Sequence, residues 1–98
     1  MEDHTFTSVL WRWEAQDAWR FVTVPADLTE EIRVTGGPPR GFGSVRVEVR
    51  VGSTTWRTSV FPDVRRDSYV LPVKRAVRDA EDLHDGDEVT ATLRVLAQ

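Results

Sequence analysis

Ninety-eight residues, 40% of them hydrophobic and 30% charged, suffice for one small domain with a single core and exclude a two-domain, disordered or collagen-like chain. With 13 basic against 16 acidic residues the net charge is -3, which gives no global pull toward nucleic acid or anionic lipid, and the lack of cysteine removes disulfides, thiol catalysis and the commonest zinc cages. No apolar run approaches the roughly 20 residues of a membrane helix, and Met1-Glu2-Asp3-His4-Thr5 is acidic where a secretory signal is basic, so a cytoplasmic protein without a membrane partner is expected.

Strand signals dominate the chain. Thr5 to Trp13 is rich in β-branched and aromatic residues, and Trp19 to Val24 repeats that composition after an acidic turn from Glu14 to Asp17, which together predict a hairpin. After Pro25, Asp27 is placed to cap a short helix with Glu30 three residues later, and Leu28 and Ile32 give that helix a one-sided apolar stripe. Thr35 to Gly43 is too rich in glycine and proline for regular structure. Ser44 to Val51 then alternates, with valines on one face and Arg46, Glu48 and Arg50 on the other, the pattern of a half-buried strand. Gly52-Ser53 turns the chain into a strand from Thr55 to Phe61 that is predicted to stop at Pro62-Asp63. Ser68 to Leu71 is a short apolar strand ended by Pro72. In Pro72 to Leu83 the apolar positions Val73, Ala76, Val77, Ala80 and Leu83 have helical spacing, with Pro72 in the first turn and Arg75–Asp79 and Arg78–Asp82 as pairs four apart. Gly86-Asp87 opens a last strand, Glu88 to Leu96, in which Val89, Ala91, Leu93 and Val95 share one face.

The two halves read as one pattern written twice: strand, strand ending in Val-Pro or Leu-Pro, helix, glycine, strand. The expected fold is therefore mainly β, a small six-stranded, partly open β-barrel from two pseudo-repeated ββαβ units with two short helices, occupying residues 1–98 as a single domain. One chain would complete such a barrel, so a monomer is expected.

The ordered segments Trp19-Arg20-Phe21-Val22-Thr23-Val24-Pro25, Trp56-Arg57-Thr58-Ser59-Val60-Phe61-Pro62 and Tyr69-Val70-Leu71-Pro72-Val73-Lys74-Arg75-Ala76-Val77-Arg78, followed by Gly86-Asp87, resemble the domain-of-unknown-function family 1905 from about Thr5 to Val95. The resemblance implies a small, partly open β-barrel with no established activity and no catalytic residues to transfer. Relatives tend to have a glycine-containing turn where this chain has Asp63 to Asp67. The second half is also similar to the AbrB-type DNA-binding swapped hairpin, through Leu71-Pro72, Lys74, Arg75, Arg78 and Gly86-Asp87.

Chemistry-bearing groups are sparse. The histidines are His4 and His84, and His84 stands in an acidic turn with Asp82, Asp85 and Asp87 that lacks the spacing of a calcium loop, so no metal and no cofactor are expected. Gly36-Gly37 and Gly41-Phe42-Gly43 have neither a P-loop lysine nor a dinucleotide fingerprint and read as a plain loop. Without a nucleophile, base and orienter set, the chain reads as a non-enzymatic binding or interaction module whose partner is a small ligand or a protein. Of the tryptophans Trp11, Trp13, Trp19 and Trp56, the first two share a strand face opposite Leu10. They are expected mainly as barrel filling, or else as an aromatic patch at the barrel mouth holding a flat or anionic ligand. Trp11, Trp13, Arg57, Ser59 and Arg40 are the candidate ligand-binding residues. The alternative is nucleic-acid binding through Lys74, Arg75 and Arg78 with Arg65 and Arg66, opposed by the acidic block from Asp79 to Glu88.

Overall fold

In the computed structural model, which describes residues 3–15, 18–35 and 43–97, the strands are set by alternating burial. The elements are β1 (Asp3–Val9), β2 (Trp11–Arg12), β3 (Arg20–Thr23), α1 (Ala26–Thr35), β4 (Val45–Val51), β5 (Thr54–Asp63), β6 (Ser68–Pro72), α2 (Arg75–Glu81) and β7 (Glu88–Val95). Neighbouring strands pair antiparallel in the order β1-β7-β4-β5-β6-β3-β2 and curl into a half-barrel. In β4, Val45, Val47, Val49 and Val51 are buried while Arg46 and Arg50 are exposed. In β7, Val89, Ala91, Leu93 and Val95 are buried in the same way. These side chains face one core, which β3 and β6 join through Val22 and Leu71.

Seven strands stand where six are expected, because the first predicted strand is divided at Leu10. Before that residue β1 pairs with β7; after it β2 pairs with β3. Leu10 is 1% exposed, its N–H donates to the Asp87 carbonyl at 2.8 Å, and its own carbonyl accepts from the Gly86 N–H at 2.8 Å. Alternation of residue type continues through the break, so composition does not reveal the change of partner. The division also makes the halves unequal, and the count does not establish the ββαβ repeat: three strands precede α1, while two lie between the helices before β7 once β4 is assigned to the first half.

Other boundaries move for local reasons. β5 runs through Pro62, which lies opposite Tyr69 of β6; β4 has already ended opposite Val60, so the missing proline N–H leaves no bond to β4 unmade. α1 begins at Ala26, placing Asp27 in the first turn instead of at the cap, where its charge still complements the helix dipole. Pro72 stays in β6, and α2 starts only after Lys74, whose extended backbone forms the N-cap. Ala76 and Ala80 are exposed, leaving Val77 as the buried residue of α2. The Arg75–Asp79 pair forms at 3.7 Å, whereas Arg78 turns back to donate to the Val73 carbonyl at 2.6 Å. The far end of α2 is tied to the β4–β5 turn by the Glu81 carboxylate, which accepts from Thr54 Oγ1 at 2.6 Å. Gly52 in that turn has φ +58, and a Cβ there would run into the same carboxylate.

Among the described residues no helix is long and apolar enough to cross a membrane.

Candidate functional site

Strand register makes a second apolar cluster on the face opposite the core. Phe21 and Val70 alternate with the core residues Val22 and Leu71, so both point away from the core, yet both are buried. Three tryptophans gather on Phe21. Trp11 stands opposite Phe21 in the ladder with ring centroids 5.1 Å apart, Trp19 stacks on Phe21 at 5.8 Å with 13° between the planes, and Trp13 meets it edge-on at 6.4 Å. Such aromatic pairs each contribute about 0.5–1.5 kcal/mol beyond the area they bury. The Trp11 indole N–H donates to Thr23 Oγ1 at 3.0 Å, which fixes the ring's orientation.

The β5–β6 turn supplies the opposite wall. Arg66 lays its guanidinium carbon 3.8 Å from the Trp11 ring centre and donates from Nη1 to Asp63 Oδ2 at 2.7 Å. Asp63 Oδ1 accepts the Arg65 backbone N–H at 3.0 Å. Between this turn and the β2–β3 turn lies a groove of about 920 Å³, with Trp11, Trp13 and Phe21 on one side, Pro62, Val64 and Val70 on the other, and Arg12, Glu14, Asp63, Arg65 and Arg66 around them. Its size falls in the range of ligand clefts, roughly 300–1,000 Å³.

Burial by itself would push the Asp63 carboxyl up, but the hydrogen bonds from the Arg66 side chain and backbone, the Arg66 charge and the Arg65 N–H hold it below the usual aspartate value. A depressed native pKa stabilises the clasp above the unfolded value, and that stabilisation is lost as pH falls through the native value, in the region below about pH 4. Acid titration followed by tryptophan emission is therefore expected to show a step below about pH 4 as Arg66 leaves the Trp11 face. The Asp63→Asn variant should lack that step; a step of unchanged size in it would show that Asp63 does not hold Arg66 in place.

A family model described as Domain of unknown function (DUF1905) matches residues 6–93. The chain belongs to this family. No curated protein matches it. The DUF1905 match runs from β1 to β7 and takes in every residue that lines the groove. The family description carries no activity. In the β5–β6 turn this DUF1905 chain places Asp67 at φ +49, a left-handed conformation in which glycine is unstrained and aspartate is among the better-tolerated alternatives.

The sequence candidates separate on this fold. Trp11 and Trp13 come together at the groove. Arg57 and Ser59 do not line it: they lie on β5 opposite Glu48 and Arg46, and Arg57 pairs with Glu48 at 3.4 Å. Arg40, with the glycine-rich segment 36–42, lies outside the described residues. Barrel filling holds for Trp56, which joins the core, but Trp13 and Trp19 are 43% and 44% exposed and Trp11 is half-buried on the outer face. The reason is parity: Trp56 shares its strand face with Val60, whereas Trp11, Trp19 and Phe21 belong to the opposite face of the half-barrel.

The five cations of the nucleic-acid set also divide. Arg65 and Arg66 are on the groove, while Lys74, Arg75 and Arg78 lie beyond the other end of β6. Burial, with the neighbouring Arg20 charge adding to it, lowers the pKa of Arg78, whose guanidinium is committed to the Val73 carbonyl. In the acidic turn, Asp87 accepts the His84 backbone N–H at 2.8 Å and His84 Nε2 lies 2.9 Å from Asp82 Oδ1; among the described residues no three such side chains gather to hold a metal ion. His4 faces Glu31 of α1 at 3.7 Å. Sequence reasoning missed Phe21, Trp19, Asp63 and Arg66 as parts of one site. Trp19, just before β3, shares parity with Phe21, which was visible; that a turn two strands away covers Trp11 was not.

Proposed function

We propose that this DUF1905 domain is a non-enzymatic binding module that takes a flat, anionic small ligand in the groove between the β2–β3 and β5–β6 turns. The observation that carries the reading is Trp13, 43% exposed in the wall of a cleft of ligand size, with Trp19, 44% exposed, stacked on Phe21 of the same aromatic cluster. A folding role is met more cheaply by burial in the core, so partly exposed aromatic surface rimmed by arginines marks a recognition surface. Stacking on the indoles would supply affinity and the arginines charge selection.

A proton–nitrogen correlation spectrum titrated with benzoate and 1-naphthoate tests this directly. Shifts are expected at the Trp11 and Trp13 indole N–H groups and at Phe21, and Trp13→Ala should weaken binding at least about tenfold, the loss of roughly 1.4 kcal/mol. Shifts confined to other residues, or none at millimolar ligand, would defeat the reading, as would turnover in a broad hydrolase screen.

The separation of Lys74, Arg75 and Arg78 from Arg65 and Arg66 weighs against a continuous phosphate track. Salt-sensitive DNA binding lost in the Lys74→Ala, Arg75→Ala, Arg78→Ala triple variant would reverse that order. Counting β1 and β2 as one strand bent at Leu10 supports the finer architecture as well: six strands in two ββαβ units, with β3 on β6 and β4 on β7 as the related pairs. On that reading one chain closes its own curl and the domain runs as a monomer in size-exclusion chromatography.

A further inference from the structure

We infer that the groove selects a planar aromatic monoanion, with Arg65 as the anchor for its negative group, an assignment that rests on the groove being the ligand site. The rim cations are not equivalent. Arg66 is committed twice, to Asp63 Oδ2 at 2.7 Å and to the Trp11 ring at 3.8 Å, and its role is to fix the wall on which a ligand stacks. Arg12 is not free either. Arg65 differs: its backbone N–H is held by Asp63 Oδ1 at 3.0 Å, which sets where the side chain begins, while its guanidinium has no partner among the described residues. An exposed guanidinium on an anchored backbone is ready to take a carboxylate or sulfonate through two parallel N–H donors.

The carboxylates on the groove follow the same division. Asp63 is spent on the turn, and Glu14 stands on the opposite side without a partner among the described residues. Three arginines against two carboxylates give the groove one net positive charge on a chain whose total is -3. That balance suits a single negative group on a flat ring system. It suits a polyanion poorly, because Glu14 opposes additional charge and only one cation is available to take it.

Two dyes with the same aromatic skeleton separate charge from flatness: 8-anilinonaphthalene-1-sulfonate, an anion, and N-phenyl-1-naphthylamine, which is neutral. With the folded domain well below its unfolding midpoint, the anion is expected to bind with one-to-one stoichiometry and about fivefold to tenfold tighter than the neutral dye, the effect of one charge-assisted contact at a partly exposed site. Arg65→Gln should bring that ratio to about one, Arg65→Lys should keep part of it because the charge remains without the fork, and Glu14→Gln should raise it two- to threefold. Both positions are exposed on turns, and unchanged circular dichroism and melting confirm that each of the three variants is folded. An anion preference that survives Arg65→Gln would overturn the anchor assignment while leaving the groove as the site. Binding of both dyes that is insensitive to Trp13→Ala would instead remove the groove itself.

Discussion

Replacing Leu10 by alanine is expected to lower the unfolding midpoint by about 15 °C, since a buried Leu→Ala change costs about 2–5 kcal/mol and each kcal/mol moves the midpoint of a domain this size by about 4–8 °C. Leu10 is 1% exposed and joins the core cluster. It is also the only residue between β1 and β2, and both of its backbone hydrogen bonds go to the turn before β7. The side chain therefore pins the point at which the chain leaves one part of the sheet and enters the other. A cavity there loosens β1 against β7 and β2 against β3 together. The adjacent Val9 is the control: at 50% exposure, its alanine variant should lie within about 1 kcal/mol of the parent, because surface substitutions cost little. Thermal melts of the two variants measured side by side check this, and a Leu10→Ala midpoint within a few degrees of Val9→Ala would show that the bend is held by its hydrogen bonds alone.

The same bend shows what residue patterns carry and what they omit. β4 and β7 were legible residue by residue, because period-two alternation states both the strand and the face that is buried. The core valines followed from that. The division at Leu10 was not legible, because alternation records which way a side chain points and says nothing about which strand lies beside it. Pro62 misled in the other direction: proline reads as a strand stop, but beyond Val45 the neighbouring strand has ended and the missing donor costs the ladder to β4 nothing. At the candidate site, the shared face of Trp11 and Trp13 was legible from parity. Arg57, grouped with them as a ligand-binding candidate, is not among the residues lining the groove. Arg57 precedes the β5–β6 turn and pairs with Glu48, while Arg66, paired with Asp63 inside that turn, lies over the Trp11 ring. The Arg66–Trp11 contact is tertiary, and local sequence holds no signal for it beyond an aspartate three residues before an arginine.

Thr29→Val should destabilise the domain by about 1–3 kcal/mol despite conserving side-chain shape, because it strands a buried backbone donor. Among the described residues Thr29 is the one polar side chain that is buried, at 2% exposure. Its hydroxyl accepts the Tyr69 N–H at 3.2 Å and donates to the Val24 carbonyl at 3.2 Å, bridging α1, the end of β3 and β6. Val24 and Tyr69 are themselves joined, N–H to carbonyl, at 2.9 Å. With valine at position 29 the Tyr69 N–H loses its partner in a place water does not reach, whereas Thr29→Ser keeps the hydroxyl and gives up only a methyl group, about 1 kcal/mol. The expected signature is local as well as global: the midpoint falls by roughly 10 °C in Thr29→Val, and hydrogen exchange at the Tyr69 amide accelerates more than at β4 amides. Equal acceleration across the sheet would mean that the hydroxyl contributes only general packing. The consequence reaches the groove, because the residue after Tyr69 is Val70, part of its lining, and the turn carrying Arg65 and Arg66 enters β6 just before it. A β6 freed at Tyr69 allows that wall to drift from Trp11, so Thr29→Val should weaken binding of the anionic dye even though Thr29 is not among the residues lining the groove.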